Sequence, residues 1–178
     1  MKSIYLLILA SFFIFFLQSC NEEGIAGEIK LLQTDCNNTL VDVEGFEPTV
    51  FPIEDANEYL SIMMPYFESF DKASLKTLVD LANTEKASRK VNLDNSELIK
   101  ELSYSKTQIT ALYNEFKSDS LTKELALQYF ENERQTYTKL KIVFDSMEDS
   151  NNRLKNNFER LIPKAKHIVD SLDNLTLK

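Results

Sequence analysis

Chemistry near neutral pH has few carriers in this chain: one histidine, His167, and two cysteines, Cys20 and Cys36, in 178 residues. Nucleophilic catalysis asks for a base beside the nucleophile, most often a histidine. His167 stands in Lys164-Ala165-Lys166-His167 with no partner motif, one position off the apolar seam described below, which predicts a solvent-facing side chain. A structural zinc site takes four His, Cys or carboxylate ligands, and one histidine with one distant cysteine does not supply such a set. The di-metal sites of helical bundles use Glu-x-x-His pairs, and His167 follows Lys164 at that spacing instead. Glycine-rich phosphate loops, Cys-x-x-Cys, His-Glu-x-x-His and Gly-x-Ser-x-Gly are absent from the sequence. The sequence therefore predicts no enzyme, no catalytic residue, no cofactor and no metal, and assigns no ligand-binding residue. Glu133 and Asn151 are the two polar residues in otherwise apolar positions. Each admits two readings: a contact to a ligand inside a bundle, or a polar layer that fixes helix register at a cost in stability.

Cys20 is the exception, because its surroundings give its thiol a use. A basic start, Met1-Lys2, precedes an apolar run over residues 4–17, which is 14 residues long. That length suits a signal-peptide core and is short for a bilayer crossing. The run ends in Leu17-Gln18-Ser19-Cys20, with Gln18 as the one departure from pattern. These residues resemble the lipobox of bacterial lipoprotein signal peptides. The resemblance implies cleavage before Cys20 and a diacylglycerol on its sulfur, with the membrane as a partner through that lipid. An ordinary secretory signal would want a small residue where Leu17 stands; that reading and an uncleaved anchor are the alternatives. Asn21-Glu22-Glu23-Gly24 resembles the acidic export signal of Bacteroidota surface lipoproteins, and Asn21 is not the aspartate that retains enteric lipoproteins at the inner membrane. The expected location is the outer membrane of the cell envelope, on either its periplasmic or its surface face. Asp119-Ser120-Leu121, Asp145-Ser146-Met147 and Asp170-Ser171-Leu172 resemble the short O-glycosylation motif of Bacteroidota envelope proteins. Of these only Ser120, in a turn, is expected to be accessible.

The formal net charge is −8, and −9 for the chain from Cys20 onward, since Lys2 is the only charge before it. A surface this acidic repels nucleic acid and anionic lipid, so attachment to a membrane falls to the acyl chains. Cys36 would then be the only free thiol. It cannot make an internal disulfide, and a buried, inert role is expected, with pairing between chains as the alternative.

Elements must position these residues, and the pattern is helical. All three glycines, Gly24, Gly27 and Gly45, precede residue 46. Residues 1–19 read as the signal peptide, 20–52 as a lipidated tether and irregular segment with a β-leaning fragment at 39–43, and 53–178 as one helical bundle domain. Pro52-Ile53-Glu54-Asp55 predicts a helix start, and Pro65 should kink or restart that helix. The apolar run over residues 59–70 could be core or a partner-binding surface. Leu75, Leu78, Val79 and Ala82 fall at helical spacing.

Asp94-Asn95-Ser96-Glu97 has capping-box spacing. The helix beyond carries Leu98, Leu102, Ser105, Ile109, Leu112 and Phe116, spaced as a heptad seam. A turn at Ser118-Asp119-Ser120 should divide it from a last helix. That helix carries Phe130, Tyr137, Phe144, Asn151, Phe158, Ala165 and Leu172, with Ala126, Glu133, Leu140, Met147, Leu154, Leu161, Ile168 and Leu175 beside them. One continuous helix through the turn would put Asp119 and Lys123 in the seam, so the hairpin is preferred. Pro163 should bend the last helix near Ile162. At 1.5 Å per residue the two helices span about 38 and about 63 Å. The shorter cannot cover the longer, and residues 52–86 must cover the rest.

The expected fold is all-α: a three- or four-helix antiparallel bundle, or coiled-coil hairpin, with a long C-terminal helix kinked near Pro163. The expected function is a non-enzymatic, lipid-anchored envelope module that binds another macromolecule or supports an envelope complex, with a protein partner the sequence does not identify. The alternative is a carrier of a small apolar ligand in a cavity between helices, to be sought beside Phe144 and Phe158.

Overall fold

A computed structural model describes residues 22–176, so Cys20, the segment before it and the last two residues lie outside the described residues. Five α-helices account for most of it: α1 (Glu22–Glu44), α2 (Ile53–Met63), α3 (Lys72–Ser88), α4 (Ser96–Lys117) and α5 (Lys123–Thr176). A 3-10 segment, Met64–Ser69, follows α2 directly. No strand occurs among the described residues, and none of their helices is long and apolar enough to cross a membrane.

The largest departure from expectation is α1. Residues 22–44 form a 23-residue helix where the sequence suggested a tether and a β-leaning fragment. The reason lies in spacing: Ile25, Ile29, Leu32, Cys36, Leu40 and Val43 are all buried and recur every three or four residues. Gly24 and Gly27 pulled the reading toward irregular structure, yet both lie on the exposed side, where an added methyl would meet nothing within 4 Å. Burial of one stripe outweighs the weak helix propensity of two glycines.

The chain folds as two compact units, not as one domain behind a tether. Unit 1 takes residues up to Phe46 and Asn95–Val143; unit 2 takes Glu47–Asp94 and Phe144 onward. Each draws on part of α5, which runs unbroken for 54 residues through Pro163 and well past it. A proline inside a helix removes one amide donor and crowds the preceding turn, but packing on both sides of Pro163, by Leu161 and Ala165, retains the helical path.

In unit 1, α1 and α4 lie antiparallel. Asn95 Nδ2 donates to the Val43 carbonyl at 2.6 Å, and Gln33 Nε2 to Thr110 Oγ1 at 2.7 Å. The Val43 carbonyl, at the end of α1, thus accepts both the Asn95 side chain and the Phe46 amide, the latter at 3.3 Å. This corrects the capping-box expectation: Asn95, not Asp94, is the N-cap of α4, and its side chain makes no cap bond to its own helix. Every residue of the predicted seam of α4 is buried.

The α4–α5 turn forms as expected, with no glycine. Asp119 adopts φ 54°, its amide bonds the Phe116 carbonyl at 3.3 Å, and the Ser120 amide bonds that of Glu115 at 3.0 Å. That is a complete Schellman motif closed by an aspartate, which tolerates the left-handed region better than most side chains. The Thr122 hydroxyl then accepts the Leu125 amide at 3.4 Å, and α5 begins at Lys123.

In unit 2, α2, α3 and the C-terminal part of α5 share one core: Ala56, Met63, Leu78, Leu81, Phe158, Leu161, Ala165 and Val169. Pro52 is the N-cap of α2, and Pro65 sits in the first turn of the 3-10 segment, so the expected restart occurs there. Asp71 caps α3 by accepting the Ser74 amide at 2.8 Å, which holds its carboxyl below the ordinary range. A turn at Gly45 ends α1, residues 46–52 carry no regular secondary structure, and Pro48 and Pro52 oppose a continuation of the helix.

Candidate functional site

The seam that the sequence marked on α5 is buried from Tyr137 to Ala165, and its two polar residues have distinct surroundings. In unit 1, Glu133 is half-buried and accepts a 3.3 Å hydrogen bond from Ser105 Oγ, whose own side chain is fully buried. Cys36 lies in the same layer. Its sulfur sits 3.7 Å from the Leu102 carbonyl and is 0 % exposed. Burial pushes the Cys36 thiol up, only partly offset by Ser105 and Lys106. A thiol held in its neutral form is a poor nucleophile. It is also inaccessible to a second chain unless unit 1 opens. Thr39 and Tyr137 add a 3.0 Å hydroxyl pair, and Lys106 Nζ donates to Asn37 Oδ1 at 2.6 Å. The layer joins α1, α4 and α5 by side-chain contacts.

Burial likewise raises the Glu133 pKa, and the Ser105 bond offsets it in part. A carboxyl whose pKa is higher folded than unfolded weakens the fold as pH rises through the window between the two values. The unfolded value is about 4.3. Glu133→Gln keeps an acceptor for Ser105 and removes the buried charge. The variant should be more stable than wild type at neutral pH, and the difference should vanish below about pH 4. Urea unfolding across that range checks both statements; equal stability at pH 7 would remove Glu133 as a source of pH dependence.

Asn151 belongs to unit 2. It is 6 % exposed, and its Oδ1 accepts the Thr49 backbone amide at 2.9 Å. Two residues on, the Phe51 ring stacks on Phe158 with centroids 5.6 Å apart and planes 29° from parallel. The two contacts pin segment 47–52 to α5, and the Phe51 ring covers one face of Phe158.

A concavity does exist elsewhere in unit 2. A groove of about 580 Å³ runs between α3 and α5, with Ala73, Leu161, Pro163 and Ile168 among its walls. Arg160, Lys164 and His167 flank it from one face of α5, and Lys76 from α3. Lys76 is paired with Asp80 at 2.8 Å. Arg160 reaches only Asn157 Oδ1, at 3.4 Å, and Lys164 has no acid within ion-pair distance. His167 is exposed, as its position predicted, and its imidazole has no hydrogen-bond partner among the described residues. Arg160 and Lys164 had no role in the sequence reading. Their i, i+4, i+7 spacing with His167 was the available signal, but it acquires meaning only once α3 forms the opposite wall.

The apolar stretch 59–70 divides. Met63 is fully buried, and Tyr59, Leu60, Ile62 and Phe70 pack partly on the core. Met64, Tyr66 and Phe67 remain exposed, as do Leu75 and Val79 on α3. Of the three Asp-Ser tripeptides, Ser120 is exposed in its turn, and Ser146 and Ser171 are exposed along α5 as well, contrary to expectation. Among the described residues no three His, Cys, Asp or Glu side chains converge as a metal site. Compared with protein-family models, curated proteins and solved structures, the chain matches none.

Proposed function

We propose that this chain is a lipid-anchored module of the bacterial cell envelope, held at the outer membrane through Cys20, that works by binding another protein and not by catalysis. The observation that carries the binding role is the exposed apolar side chains at residues 64–79. Met64, Tyr66, Phe67, Leu75 and Val79 stay in water although the core of unit 2 is adjacent in sequence. Rings and methionine at such density are an adaptable contact surface. The anchor reading rests on Lys2, the apolar run and Leu17-Gln18-Ser19-Cys20. It gains a geometric corollary from α1, which begins two residues beyond Cys20, at Glu22. No long tether would separate the acyl group from packed structure. The end of unit 1 that carries Ile25 and, by the antiparallel register, the 118–122 turn would lie against the bilayer.

Two measurements test the two halves. Cys20→Ser should abolish lipid labelling and move the protein from the membrane fraction to the soluble one; retention after a high-salt wash would refute the anchor. A photo-crosslinking residue at Phe67 should give one discrete adduct in intact cells, while the same residue at exposed Asn152 gives none. The absence of an adduct at Phe67, or equal labelling at both positions, would refute the binding face.

A further inference from the structure

We infer that the groove between α3 and α5 is a binding site for a small anionic amphiphile, an oxyanion head group on an apolar body. The inference comes from a mismatch of local and global charge. The whole chain carries a net −8. The groove, in contrast, holds Arg160, Lys164 and Lys76 against a single acid, Asp80, with His167 beside them. Asp80 is already occupied by Lys76 at 2.8 Å, so it does not neutralise the two cations of α5.

Lys166 pairs with Asp170 at 2.8 Å on the same helix, whereas Arg160 and Lys164 meet no acid among the described residues. Lys164 stands instead over a groove whose walls are Leu161, Pro163, Ile168 and Ala73. Those walls offer an alkyl or aryl body an apolar lining, and Thr77 and Ser74 on α3 add hydroxyls opposite the cations. Pro163 contributes through the backbone. It supplies no amide to the Glu159 carbonyl and places its ring on the apolar wall. The volume, about 580 Å³, falls within the range of small-ligand pockets, whose linings combine apolar surface with a few fixed polar groups. The ligand class follows from these features. A free inorganic anion would use the rim and waste the floor, and a neutral lipid would use the floor and leave the cations unmatched.

Carboxylate and phosphate heads share this chemistry, and the experiment separates them. The chain from residue 20 carrying Cys20→Ser, which contains every described element, is titrated with dodecanoate and with dodecyl phosphate below their micelle concentrations. Backbone amide resonances report the site. Shifts should concentrate at residues 73–80 and 160–168 for one or both probes, and the stronger identifies the preferred head. Dodecyltrimethylammonium and inorganic phosphate should each bind at least tenfold more weakly. The exposed pair change Arg160→Glu with Lys164→Glu should leave the melting temperature within a few degrees and weaken the anionic probe at least tenfold. Shifts concentrated at the exposed apolar residues 64–67, outside the groove, would overturn the site. So would equal binding of the cationic probe, or undiminished binding by the doubly changed protein. If the double change unfolds the chain, Lys164→Gln alone, with an expected loss of several-fold, decides.

Discussion

Phe158→Ala should destabilise unit 2 by about 3–5 kcal/mol, the range for removing a fully buried aromatic ring. The ring is 2 % exposed, is covered on one face by Phe51 and shares the core with Met63 and Leu81. Neither the segment that carries Phe51 nor α2 can close over the space without losing its other contacts, so a cavity remains. Two consequences distinguish this from general damage. Phe51→Ala should cost less, because Phe51 is only half-buried, and the two losses should not add, since each change removes the same stacked pair. Urea unfolding of the two single variants and the double variant is the measurement. A loss below about 1 kcal/mol for Phe158→Ala, the range of surface substitutions, would mean that the seam of α5 is not the core of unit 2.

Asn151→Leu should also destabilise, by about 1–3 kcal/mol, although it replaces a buried amide with an apolar side chain of similar size. A register residue would behave in the opposite way, with leucine raising the melting temperature and loosening the oligomeric state. The difference is the Thr49 amide. Its acceptor is Asn151 Oδ1 at 2.9 Å, and leucine leaves that N–H in a part-buried place without a partner. The variant should sediment as wild type does and melt lower. A variant that melts higher, or forms new oligomers, would restore the register account.

These two residues also show what the sequence could and could not reveal. The heptad seams of α4 and α5 were legible because periodicity needs no knowledge of partners: Leu98 to Phe116 and Tyr137 to Ala165 are buried as their spacing requires. That Asn151 interrupts a seam was equally plain. What it bonds was not, because Thr49 lies 102 residues away and its backbone amide has no sequence signature. In α1 the buried stripe Ile25, Ile29, Leu32, Cys36 and Val43 was present, but glycines and β-branched residues argued locally for irregular structure and tertiary burial overrode them. The groove is the extreme case. Arg160 and Lys164 are ordinary surface residues until α3 stands opposite, and no local pattern announces a wall supplied by residues about 85 positions earlier.

The division of the chain into two discontinuous units sets the order in which its cores can close as the chain emerges, N-terminus first. α1 and α4 are both made by Lys117, so the first pairing of unit 1 needs nothing from the C-terminus. Unit 2 is different. Met63 and Leu81 wait for Phe158, Leu161 and Ala165. Until those residues are available, α2 and α3 hold their apolar stripes without the helix that covers them. Chains interrupted before residue 158 would present the same uncovered stripes permanently, so loss of the stretch that carries Phe158, Leu161 and Ala165 converts a foldable chain into an aggregating one.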